Sequence, residues 1–234
     1  MMSHVTSDEA SFSPDLFAFL RELGANNDRE WFTANKARYV ADVQEPALAF
    51  VEDVGMRLPE ISRHFVADPR PSGGSVFRIY RDVRFSKDKS PYKTNIGIQF
   101  RHAQSRDVHA PGFYLNLEPG RVFMACGLWH PDRDTLHAIR TAIASKPGRW
   151  RAVVEEPPFT DRFRLSGEAL KRPPAGFDRD HELIEDLKRK DFIAYVDLSE
   201  EHAVAGDFLD QFVALCGDAG PFMRFLCDSA RVPY

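Results

Sequence analysis

Eight basic residues fall in one short window: Arg78, Arg81, Arg84, Lys87, Lys89, Lys93, Arg101 and Arg106. Only Asp82 and Asp88 oppose them, so the window carries +6, and the other 23 basic and 33 acidic residues leave −10 elsewhere. The chain total of −4 therefore hides one positive patch on an acidic body. Guanidinium forks match carboxylate or phosphate oxygens two at a time, and an ammonium adds a compact charge. The chemistry this pattern predicts is recognition of a small anion bearing phosphate or carboxylate. The candidate ligand-binding residues are Arg78, Arg81, Asp82, Arg84, Lys89, Tyr92 and Lys93. Asp82 would hold an arginine in place, and Tyr92 would donate to the same anion. If the ligand is turned over, Arg81, Arg84 and Lys89 stabilise charge, and Asp82 or Tyr92 is the proton-transfer candidate.

Two other readings stand beside this one. The charges alternate with Phe77, Ile79, Tyr80 and Phe85, and charge near buried surface needs partners. The Arg/Asp network would then be structural, in a non-enzymatic interaction module. Basic residues interleaved with aromatics also fit single-stranded nucleic acid, although the acidic remainder argues against it.

Further constellations are weaker. Ser90-Pro91-Tyr92-Lys93 has the S-x-x-K spacing of penicillin-recognising serine enzymes, which places the serine at a helix start. The strand pattern that begins at Ile96 argues against that. The eight histidines include no H-x-x-x-H or H-E-x-x-H, so no metal site is predicted. Gly73-Gly74-Ser75 precedes a strand pattern, whereas a P-loop follows one. Trp129-His130-Pro131 follows a strand and could line a pocket, but a packed Trp beside a solvent-facing His is the preferred reading. Cys126, Cys216 and Cys227 form no C-x-x-C pair and read as buried, reduced thiols. The residues leave any cofactor unknown.

The elements that must position these residues change period along the chain. Ser13-Pro14 is a capping hydroxyl followed by proline at the first helical position. Leu16, Phe17, Leu20 and Leu23 follow at helical spacing, with Gly24 placed to end the turn. Asn27 or Asp28 caps a second helix, and Pro46 opens a third whose stripe is Leu48, Val51, Val54 and Leu58. Beyond the breakers Pro69 to Gly74, Val76–Tyr80 is rich in strand formers. Ile96, Ile98 and Phe100 alternate with polar residues, a strand with one wet face. Phe113–Leu117 and Val122–Cys126 flank Glu118-Pro119-Gly120-Arg121, a hairpin around a type II or related turn.

A helix capped near Asp132 or Asp134 comes next, followed by a mostly irregular stretch over residues 147–179. The remaining expectations are a helix capped by Asp180, a strand at Phe192–Val196, a Phe208/Phe212/Leu215 helix and a last one opened by Pro221. Short links between strands imply antiparallel pairing. The fold class is therefore α+β, an antiparallel sheet packed with N-terminal and C-terminal helices. A flexible N-terminus over residues 1–11 and a single domain over 12–234 are expected, with 19 phenylalanines to fill one core. The N-terminus lacks the basic and apolar regions of a secretory signal, and no stretch is long enough to span a bilayer. The expected setting is cytoplasmic, with no membrane association.

The run Arg78, Arg81-Asp82, Arg84-Phe85, Asp88-Lys89 and Tyr92 resembles the signature of domain of unknown function family 2461. The resemblance extends to Asn27-Asp28-Arg29-Glu30-Trp31-Phe32 and to Gly176-Phe177-Asp178-Arg179-Asp180-His181. It spans nearly the whole chain, which implies one domain, and it implies no particular reaction.

Overall fold

A computed structural model describes residues 10–104 and 110–234. Most of the predicted N-terminal tail, and Arg106 of the basic window, lie outside the described residues.

The first helices form where their caps stand. Ser13 caps α1 (Pro14–Ala25), whose Leu16, Phe17, Phe19, Leu20 and Leu23 are buried. Gly24 falls inside this helix, and Asn26 closes it through its backbone and its side chain on Glu22. Asp28 caps α2 (Arg29–Ala34). A short α3 (Lys36–Arg38) then passes through a π-helical turn, Tyr39–Gln44, into α4 (Glu45–Ile61) with Pro46 in its first turn.

The strands are β1 (Phe65–Val66), β2 (Ile96–His102), β3 (Gly112–Leu117), β4 (Val122–Leu128), β5 (Arg164–Ser166) and β6 (Phe192–Leu198). They form one sheet in the order β1-β2-β3-β4-β6-β5 with every pairing antiparallel. The hairpin of β3 and β4 turns where proline and glycine predict it. Gly120 has φ +75°, and the Arg121 N–H donates to the Glu118 carbonyl at 2.9 Å, as a type II turn requires.

The period of two gives the sheet two unlike faces. One presents Ile96, Ile98, Phe100, Phe113, Leu115, Met124, Cys126, Leu128, Phe192 and Ala194, all buried. The helices cover it: Phe212 of α10 (Phe208–Asp218) lies 5.7 Å from Phe100, and Trp150 of α6 (Pro147–Val154) lies 5.8 Å edge-on from Phe192. α11 (Gly220–Ser229) and α5 (Arg133–Ser145, capped by Asp132) join the same layer. The buried apolar side chains form one continuous cluster, and fifteen or more phenylalanine rings filling a core is what the composition leads one to expect. No helix among the described residues is long and apolar enough to cross a membrane.

Three expected elements differ. Val76–Tyr80 is no strand: it touches its neighbours only at isolated bridges, Val76 with Ile98 and Tyr80 with Tyr92. The chain crosses β2 once and then folds back on its own residues 91–93, so a ladder never extends. The stretch 147–179 holds α6, α7 (Phe159–Arg162) and β5. Its prolines start helices here as well as breaking them. Asp180 caps no helix: α8 (Ile184–Leu187) begins later, where the Ile184 N–H reaches the His181 carbonyl, and a short α9 (Glu200–Ala203) follows β6.

Candidate functional site

The seven candidate residues of the basic window do not converge on one point. Arg81 pairs with Asp88, which also accepts from the Ser90 hydroxyl and N–H. Arg84 folds back on Asp82 through two nitrogens, at 2.7 and 3.0 Å. The Lys89 ammonium donates to the Val83 carbonyl at 2.9 Å. The Arg84 guanidinium holds the Asp82 carboxyl down to about 2, and Ser90 with Arg81 holds Asp88 lower than its ordinary value. These groups satisfy one another along a surface loop, at whose tip Phe85 is 95% exposed.

The loop is anchored at its ends by uncharged groups. Tyr92 is buried, with its ring stacked 4.1 Å from Phe32. Its N–H donates to Asn27 Oδ1, and its carbonyl accepts from Asn27 Nδ2, both at 3.0 Å. Lys93 turns toward the sheet, its ammonium 5.6 Å over the Phe77 ring. Burial, reinforced by the Arg78 charge, lowers its pKa.

The bare face of the sheet forms a cleft of about 880 Å³. Its floor is Gly112, Ala125 and Gly127, small residues in register on adjacent strands or two residues apart. Gly127 has φ +124°, and a Cβ there would stand 2.0 Å from the Phe192 carbonyl oxygen. No other residue type fits at that crossing. One wall is an aromatic row: Phe77, Tyr114 and Phe123, with centroids 6.0 and 5.9 Å apart. Cations cover both ends of the row, Lys93 over Phe77 and Arg121 over Phe123 at 5.2 Å. Among the described residues neither makes an ion pair with a carboxylate. Burial pushes the Tyr114 hydroxyl up to about 12, so it stays a neutral donor. That hydroxyl leans 3.3 Å from Asn116 Oδ1, which also accepts from Asn95 at 2.8 Å.

The opposite end of the cleft is built around one buried acid. Asp191 is 1% exposed and precedes β6. Its Oδ1 accepts from the His130 N–H at 2.7 Å, and its Oδ2 accepts from the Glu168 N–H at 3.1 Å. The His130 ring nitrogen Nδ1 lies 3.2 Å from the same Oδ1. His130 adopts φ +46°, uncommon away from glycine, and Trp129 packs 4.4 Å from its ring. Gly167, at φ +109°, leaves room for Asp191: a Cβ there would meet the Asp191 Cβ at 2.7 Å. Glu168 is engaged by Lys190 at 2.8 Å, which lowers its pKa. Ser166 and Tyr195 add hydroxyl-bearing side chains to the lining. Cys126 lies between Ala125 and Gly127 but turns its side chain into the core on the helix-covered face, where burial pushes its thiol far above the ordinary range. Among the described residues no group of three or more His, Cys, Asp or Glu is placed to hold a metal ion.

A family model described as conserved hypothetical protein (DUF2461) matches residues 15–225. The chain belongs to the DUF2461 family. No curated protein matches it.

In this DUF2461 chain, the segments that carry the sequence resemblance have visible packing roles. Asn27 and Phe32 of the upstream segment both seize Tyr92 of the basic window. His181 of the downstream segment reaches the Ala144 carbonyl at 3.3 Å and accepts from the Leu183 N–H at 3.0 Å. Sequence reasoning overlooked Asp191, Glu168, Tyr114, Arg121 and Tyr195, all of which line the cleft. Trp129 and His130 are at the cleft, the less favoured of their two readings. A usable signal lay in the strands. Glycine, alanine and aromatic residues occupy the face that alternation assigns to water, where charged residues would be ordinary.

Proposed function

We propose that this protein binds a small organic anion with a flat apolar body in the cleft on the helix-free face of the sheet. The observation that carries the proposal is the cleft itself. Its volume lies in the range of small-molecule sites, which are mostly apolar with a few polar groups. The body of the ligand lies on the Gly112–Ala125–Gly127 floor against Tyr114. Its anionic group meets Lys93 or Arg121, which among the described residues make no ion pair with a carboxylate. On this reading the anion expected from the basic window is taken at its inner margin, by Lys93, with Arg78 adding to the local field. Arg81, Asp82, Arg84, Lys89 and Tyr92 form the rim and act through the loop's shape. Their mutual pairing favours that structural role, because an arginine engaged by a carboxylate has less to offer a ligand.

Thermal shift with phenyl phosphate, 4-hydroxybenzoate and 8-anilinonaphthalene-1-sulfonate tests this. At least one should raise the Tm of the wild-type chain, since a ligand at 100 times its Kd adds about 2.7 kcal/mol. Ala125→Trp, which fills the floor, should abolish the shift, and Arg84→Ala should leave it intact. A shift lost in Arg84→Ala and kept in Ala125→Trp would assign the ligand to the loop instead. No shift with any of the three would remove the proposal's support.

A further inference from the structure

The cleft has a polar end that binding alone does not require. A carboxylate buried as completely as Asp191 is costly unless every oxygen is engaged. Here two backbone N–H groups donate to it, one to each oxygen, and an imidazole nitrogen lies 3.2 Å from Oδ1. The chain also accepts a left-handed backbone at His130 and keeps glycine at Gly167 to fit the acid in. Unusual backbone held by over-determined surroundings is a mark of functional sites. With Nδ1 facing the carboxylate, the proton of a neutral imidazole sits on Nδ1, and Nε2 keeps its lone pair. Around this ring stand Asp191, Glu168 and Lys190. Glu168 and Lys190 are paired to each other, which leaves Asp191 as the partner of the imidazole.

We infer that His130 is the general base of the cleft, activating water against a carboxylic ester, with Asp191 as its positioning residue. The inference rests on the cleft being a ligand site. In the step, Nε2 takes a proton from water as the water oxygen bonds to the acyl carbon. The ester C–O bond then breaks, and the imidazolium returns the proton to the departing alkoxide, giving one acid and one alcohol. The hydroxyls of Ser166 and Tyr195, on the strands beside Asp191, are donors suited to the charge that grows on the carbonyl oxygen.

The probe is 4-nitrophenyl acetate, with release of 4-nitrophenol followed by absorbance. His130→Asn is the informative variant, because asparagine tolerates a left-handed backbone. It should lower kcat/KM by about 10²–10⁴-fold, the usual contribution of a positioned acid–base group, and added imidazole should restore part of the rate. Asp191→Asn should lower kcat more than it raises KM. Nitrogen-15 NMR should show the His130 proton on Nδ1 in the wild type and a mixed tautomer in Asp191→Asn. A merely structural role for Asp191 would not move that signal. Binding of 8-anilinonaphthalene-1-sulfonate, measured on the same His130→Asn sample, separates the two claims. Binding kept with hydrolysis equal to wild type overturns the inference and leaves the cleft site standing. Binding absent from the wild type as well removes the cleft reading itself.

Discussion

Replacing Asn27 by alanine removes both hydrogen bonds that clamp the Tyr92 backbone, each 3.0 Å long. A neutral hydrogen bond contributes about 0.5–1.5 kcal/mol, and a buried group left without a partner costs roughly 1–3 kcal/mol. Tyr92 is only 5% exposed, so water replaces the lost partners poorly. The cost is therefore set near the upper part of the first range for two bonds, about 2–3 kcal/mol. In a chain of this size each kcal/mol shifts Tm by roughly 2–4 °C, which predicts a fall of about 4–12 °C. Arg84→Ala provides the contrast. Its pair with Asp82 is 77% and 46% exposed, and exposed pairs are screened by water and salt. That variant should leave the unfolding midpoint unchanged within measurement error. The assay is urea unfolding followed by far-UV circular dichroism, with m held constant across variants as the check on two-state behaviour. A larger loss for Arg84→Ala than for Asn27→Ala would refute the reasoning, because the ion pairs and not the Asn27–Tyr92–Phe32 anchor would then hold the loop.

Tyrosine titration checks the burial of three rings, since burial pushes Tyr39, Tyr114 and Tyr234 up to about 12. Their unfolded value is about 10, so the stability they confer is complete below pH 10 and falls as pH rises from 10 to 12, where the unfolded chain releases its protons first. Absorbance at 295 nm should show these three ionising late in the folded protein and together near pH 10 in urea; early ionisation of all six tyrosines would contradict the packing. Gly127→Ala forces a Cβ against the Phe192 carbonyl at a φ of +124°. Strained backbone and overpacking each cost about 1–3 kcal/mol, so a Tm fall of roughly 5–20 °C is expected in a thermal melt, and an unchanged Tm would show that β4 and β6 cross differently.

What could be read from the residues follows from which interactions are local. Ser13, Asp28 and Asp132 cap helices because a side-chain oxygen satisfies N–H groups two or three residues away. The Pro119-Gly120 turn and the alternation of Ile96, Ile98 and Phe100 are equally local, and they were enough for an antiparallel α+β sheet. The sheet order is not local. Placing β6 beside β4 brings Asp191 next to His130 across 61 residues, and no spacing in the chain announces that meeting. The same gap explains the basic window. Eight cations in one run are conspicuous as letters, but Asp82 and Asp88 lie in the same run, and the folded loop pairs them with Arg84 and Arg81. Arg121 drew no notice because the residues that give it a role, Phe123 and Tyr114, mark a cleft only after the strands align.

The central claim is the location of the ligand site, and amide chemical-shift mapping tests it most directly. Titrating 8-anilinonaphthalene-1-sulfonate into nitrogen-15-labelled protein should move the resonances of Tyr114, Ala125, Gly127 and His130 together, with those of residues 82–89 still. Shifts confined to residues 82–89, with the sheet signals unmoved, would contradict the account.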